Sequence, residues 1–179
     1  GGVQSSPPID YARSSRGPAN AAETAELQFW GFARDAIAVL TFGERAGVSL
    51  TRQNLIDIYT CQPNADDWSD FGLAAGPTIP WTMNNSSGTF ASFQGYIGVT
   101  TFGPCVRVGT GGPFLENDVK PLIADPGPDG VPNTADDEES NFLWWMSFGN
   151  FKTYPFTTGA VAPGETARTG TNPVTVEGI

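Results

Sequence analysis

Two short runs that are apolar almost without interruption, Ala36 to Phe42 and Phe142 to Phe148, set the strongest limit on the fold. A strand with one wet face alternates apolar and polar residues, so a run lacking that alternation belongs to a strand covered on both sides. Between and around these runs lie segments of helical period. Thr51 caps a helix that puts Leu55, Ile58 and Tyr59 on one face, and a second helix from about Phe90 to Ile97 carries Phe90, Phe93, Tyr96 and Ile97. Further elements are expected as a strand over Pro8 to Arg13, a short helix over Ala19 to Glu26 and a helix over Glu116 to Ala124. Thr78 to Met83 reads as an edge strand because Pro80 lacks an N–H. Pro63 to Gly76 reads as a loop anchored by Trp68 and Phe71, and 157–179 as extended. Strands alternating with helices give an α/β sandwich.

Composition removes whole classes of function. Lys and Arg number 9 against 19 Asp and Glu, a net charge of −10. With no basic stripe, such a chain repels phosphate backbones and anionic lipid surfaces, which excludes nucleic acid as a partner. There is no histidine, so His-based acid–base catalysis, the usual nucleophile triads and His-containing metal sites are absent. No nucleophile–base pair can be named, and the chain reads as a non-enzyme. No segment has the roughly 18 uninterrupted apolar residues of a membrane helix, so no membrane insertion is expected. Trp30, Trp81, Trp144 and Trp145 lie in strand-like segments and read as core.

Two cysteines, Cys61 and Cys105, are too few for a zinc cage and read as a disulfide or as two buried thiols. A bridge over so long a loop would be worth roughly 3–4 kcal/mol and would indicate an oxidising, extracytoplasmic compartment. The acidic Pro/Gly segment 125–140 gathers Asp125, Asp129, Asp136 and Asp137 around turns that expose carbonyls. It reads as a solvated insertion or as a Ca²⁺ site, without the ligand ladder of an EF-hand.

The strand–turn–helix from Thr78 to Ile97 carries the most chemistry. A helix mouth built from Ser86, Ser87, Gly88 and Thr89 exposes backbone N–H groups, adds hydroxyl donors and lies at the positive end of the helix dipole. Such a mouth is either an ordinary N-cap or an anion cradle that needs no lysine.

Several segments occur in a telling order: Ile9 to Pro18, Phe32 to Val39, Leu50 to Thr60 with Trp68, then Ser87-Gly88-Thr89, Glu116-Asn117-Asp118 and Met146-Ser147-Phe148-Gly149. Together, over roughly residues 8–150, they resemble the phosphate-type substrate-binding proteins of ABC transporters. The resemblance implies an α/β, type II periplasmic-binding-protein-like mixed sheet flanked by helices, one lobe plus part of a second. It implies a domain over 1–156, with 125–140 as an insertion and 157–179 as a tail. It places oxyanion ligands at Ser14 and Ser15 in an early turn and at Ser87, Gly88 and Thr89. Arg16, Asp35 and Ser86 are candidate supporting residues. Arg13 or Arg16 near the turn reads as a stand-in for a ligand guanidinium, or Arg34 and Asp35 as bracketing a cleft at a strand end, against ordinary surface charge for all four of Arg13, Arg16, Arg34 and Asp35.

The sequence also departs from the family pattern. The arginine four residues before the Ser-Gly-Thr serine is Met83, the acid of the early turn is Ser15, and the first ligand loop would lie upstream of Gly1. The expectation is therefore a secreted, non-enzymatic binding protein for a phosphate-like oxyanion, partnered with an ABC transporter. The alternative is an extracellular structural protein that assembles with copies of itself on the same fold.

Overall fold

A computed structural model of the chain describes residues 36–42, 45, 47–108, 141–153 and 171–176. The strand and helices expected over 8–13, 19–26 and 116–124 lie outside them, as do Trp30 and the acidic segment 125–140.

Both apolar runs are strands. β1 spans Ile37–Phe42 and β4 spans Phe142–Ser147, paired antiparallel with Ile37 opposite Ser147 and Thr41 opposite Leu143. All six residues of β4 are buried. Successive side chains point to opposite faces, so the sheet is covered on both sides at this strand. β3, Ile79–Pro80, runs parallel to β4, while β5, Thr171–Pro173, runs antiparallel to β1. The order β3-β4-β1-β5 thus makes a mixed sheet. The segment 171–176 is extended, as expected, and pairs within its own chain. β6, Thr175–Val176, lies parallel to β2, Ser49–Leu50, and Val174 and Val176 are buried.

Pro80 sits in the edge strand, where its missing N–H leaves no ladder bond unmade. Beyond that edge, Arg107 adds a single bridge. Its N–H donates to the Pro80 carbonyl at 2.8 Å, and its carbonyl accepts from the Thr82 N–H at 3.0 Å.

α1, Arg52–Tyr59, begins where the sequence places it. The Thr51 hydroxyl accepts from the Asn54 N–H at 3.0 Å, and the Asn54 side chain accepts in return from the Thr51 N–H at 2.8 Å. This reciprocal pair satisfies two otherwise orphaned donors. Leu55, Ile58 and Tyr59 face the core, and the Tyr59 hydroxyl donates to the carbonyls of Trp81 at 3.3 Å and Leu143 at 3.4 Å.

α2, Gly88–Ile97, starts two residues earlier than its apolar spacing suggests, because Ser87 supplies a cap ahead of the first aromatic. The second apolar run also ends earlier than expected. The strand stops at Ser147, and Phe148 opens α3, Phe148–Thr153. The Phe148 N–H donates to the Ala36 carbonyl at 2.7 Å, closing the ladder there.

The loop over 63–76 contains one 3₁₀ turn, Trp68–Phe71. Trp68 is buried, its indole N–H donates to the Asn141 carbonyl at 3.1 Å, and the Arg45 guanidinium lies 4.8 Å over its ring. Arg45 also donates to the Asn141 side chain at 2.9 Å and the Ala74 carbonyl at 3.0 Å, tying this loop to the start of β4. Trp81, Trp144 and Trp145 are core residues, as the sequence indicates.

Candidate functional site

The turn between β3 and α2 is organised by Asn84, which the sequence places in the turn without a ligand role. The Asn84 side-chain oxygen accepts from both the Ser86 N–H at 2.9 Å and the Ser86 hydroxyl at 2.7 Å. Its carbonyl accepts from the Ser87 N–H at 3.1 Å. The Asn-x-Ser spacing carries the signal, since Asn side chains bond their own backbone two residues on.

Ser87 then leaves the turn in extended geometry, φ −68° and ψ 137°. Its Oγ accepts from the N–H groups of Thr89 at 3.1 Å and Phe90 at 3.4 Å. Two of the helix's orphaned donors are therefore used internally. No acidic side chain occupies the first turn of α2, so the helix supplies no carboxylate of its own at the positive end of its dipole. The far end of α2 is closed as well. Gly98 adopts φ 75°, a left-handed cap that a glycine takes without steric cost, and Arg52 donates to the Tyr96 carbonyl at 2.6 Å.

The structure places Ser86, Ser87, Gly88 and Thr89 together at this helix mouth, with Thr89 buried and Ser86 exposed. The Ser86 hydroxyl is turned onto Asn84. Met83, which stands where the family resemblance would put an arginine, is 1% exposed and packed in the core. Ser14, Ser15, Arg16 and Asp35 lie outside the described residues, as do Arg13, Arg34, Asp125, Asp129, Asp136 and Asp137. Among the described residues, no cluster of three or more His, Cys, Asp or Glu could hold a metal ion. No described helix is long and apolar enough to cross a membrane.

Cys61 and Cys105 form a disulfide, with Cα atoms 5.8 Å apart. It joins the corner after α1 to the segment that follows α2. Gly103 passes directly over it, and its N–H donates to the Tyr59 carbonyl at 2.9 Å. The stretch it closes contains β3, the Asn84 turn and α2, so the helix mouth lies within one covalent loop.

No protein-family model and no curated protein sequence matches the chain. Solved structures do match. A Clostridium perfringens protein described as a phosphate ABC transporter substrate-binding protein, with phosphate bound, aligns over 93% of this chain and 55% of its own, with a TM-score of 0.62 and 20% identity. An ABC-type phosphate transport receptor from Vibrio cholerae aligns over 81% of this chain and 47% of its own, with a TM-score of 0.52 and 18% identity. The chain thus resembles phosphate substrate-binding proteins in fold, its mixed sheet with helices matching theirs, and it spans about half the length of these solved proteins.

Proposed function

We propose that the chain is a non-enzymatic binding protein for a phosphate-like oxyanion, of the kind that serves an ABC transporter outside the cytoplasm. The observation that carries this reading is the amino end of α2. There an Asn84-ordered turn places Ser87-Gly88-Thr89 at the positive end of a helix whose own first turn carries no acid. Backbone N–H groups in that setting hold an anion without a lysine or arginine.

The shared fold supports the reading, and the disulfide supports an oxidising compartment. Ser87, Gly88 and Thr89 would donate to the anion, with Ser86 in support; Ser14, Ser15, Arg16 and Asp35 are the further ligand candidates. The chain would make up one lobe and part of a second. With Met83 buried where a guanidinium would stand, the strongest charge-assisted contact is missing on this side, and binding is expected to be weak.

Titration calorimetry with inorganic phosphate, with sulfate as control, tests the proposal when run alongside size-exclusion chromatography with light scattering. Saturable, phosphate-selective heat from a monomer is the expected result. Absence of heat overturns it, and large assemblies without heat would favour the structural alternative instead.

A further inference from the structure

Buried hydroxyls are not spread evenly through this core. Among the described residues, the buried serine and threonine side chains are Thr41, Thr78, Thr82, Thr89 and Ser147. Thr82 lies just past β3, Thr89 in the first turn of α2, and Ser147 at the last position of β4. Two separate lines of geometry bring these last three to one end of the sheet.

The first is strand register. β3 and β4 run parallel, with Ile79 level with Phe142 and Pro80 with Leu143, and the Trp81 N–H donates to the Leu143 carbonyl at 2.9 Å. Carried forward, this register sets Thr82 beside Trp145 and Asn84 beside Ser147. Side chains alternate between the faces of a sheet, so Thr82, Trp145 and Ser147 share one face. It is the face on which Phe93 of α2 stacks against Trp145. Trp81 and Phe142, their rings 5.2 Å apart, mark the opposite face, and Met83 belongs with them, away from α2.

The second is the path of α2. The helix begins beyond the carboxyl end of β3 and runs back over the sheet to set Phe93 on Trp145. One turn from Phe93 toward the amino end is Thr89, about 6 Å along the helix axis. Two residues from Trp145 toward the carboxyl end of β4 is Ser147, about 6.6 Å along the strand. Thr89 therefore stands over Ser147. Both lie at the carboxyl ends of parallel strands, where open α/β sheets place their ligands.

We infer that the Ser147 hydroxyl belongs to the same anion-holding group as Ser87, Gly88 and Thr89, and reaches it from the sheet beneath the helix mouth. The inference rests on the oxyanion reading. A tetrahedral oxyanion presents its oxygens in several directions, and a helix end meets it from one side only. A hydroxyl from β4 meets it from a second, and a hydroxyl can donate to an anion without bringing a charge of its own. With Met83 turned to the other face, β3 offers no guanidinium here, and the neutral donor on the neighbouring strand stands in for part of that contact.

Calorimetry with inorganic phosphate on the parent chain, Ser147→Ala and Thr41→Val tests this. Ser147→Ala should weaken phosphate binding about tenfold, as the loss of one hydrogen bond to a charged group does. Thr41→Val removes another buried hydroxyl, one that donates to the Arg45 carbonyl at 2.5 Å and lies opposite Leu143, toward the other end of β4. It should lower the melting temperature and leave the affinity unchanged. Unchanged affinity in Ser147→Ala, or an equal loss in Thr41→Val, overturns the inference. If the parent chain gives no phosphate heat, the oxyanion reading fails, and Ser147→Asp then decides this inference without a ligand. Beneath a mouth of N–H donors the introduced carboxyl should titrate by NMR below the ordinary aspartate value of about 3.9. A value above it, or a chain that no longer folds, places Ser147 among apolar neighbours and overturns the inference.

Discussion

Phe93 lies flat on Trp145, their ring centroids 4.1 Å apart and their planes 13° from parallel. Both residues are buried, and Tyr59 meets the same pair edge-on, 5.0 Å from Phe93 and 5.2 Å from Trp145. This stack is how α2 is seated on the sheet, and it fixes the direction in which the helix mouth points. Truncating Phe93→Ala should cost about 3–5 kcal/mol, as large aromatic deletions in cores do. Urea unfolding monitored by tryptophan fluorescence checks this. A loss below about 1 kcal/mol would mean that α2 is anchored elsewhere.

At Ser87 the cap and the binding role can be separated. Ser87→Ala removes the acceptor for Thr89 and Phe90 and should lower stability by about 1 kcal/mol. Ser87→Asp keeps a capping oxygen and suits the dipole, so its stability should stay near that of the parent. Its negative charge should nevertheless abolish phosphate heat. If Ser87→Asp bound phosphate as the parent does, the anion would have to sit somewhere other than α2's amino end.

Gly103 should tolerate no side chain. A Cβ there would lie 2.4 Å from the Cys61 Sγ and 2.9 Å from the backbone of Thr60. Backbone cannot swing aside as a flexible side chain can, so Gly103→Ala should cost about 1–3 kcal/mol and hinder closure of the disulfide. Thiol counting under denaturing conditions should reveal free cysteine in the variant and none in the parent.

Among the described residues, Asp67 gives the chain an identifiable acid sensitivity. Hydrogen bonds from Ser69, then from the Gly76 N–H, and the charge of Arg45 together hold its carboxyl below the ordinary aspartate value. A carboxylate with a depressed folded pKa contributes stability above its unfolded pKa of about 3.9 and loses it as pH falls through the lower folded value. The carboxyl carbon of Asp67 should therefore titrate below that figure by NMR. Asp67→Asn should flatten the acid limb of the stability profile and leave the neutral limb's slope unchanged. A midpoint at or above the ordinary value would refute the assignment.

Much of the scaffold was legible because its signals are local. The uninterrupted runs at 36–42 and 142–148 announced strands covered on both faces, and Thr51 followed by Leu55, Ile58 and Tyr59 announced a capped, one-sided helix. Pro80 marked an edge, and Ser87-Gly88-Thr89 marked a helix mouth. Among the described residues, apolar periodicity misled at element ends. Phe148 continues the apolar run yet begins a helix, and α2 starts at its cap rather than at its first aromatic.

The sequence by itself determined which stretches bury their side chains and where α1 begins, and a chain without histidine has no His-based chemistry. Those properties follow from residue types and short-range spacing. Only the tertiary structure decided that β4 pairs parallel on one side and antiparallel on the other, that Met83 is sealed in the core, and that Cys61 meets Cys105 beneath Gly103. Each of these joins residues far apart in the chain, where contact is set by the packing of whole elements and no local pattern carries the information.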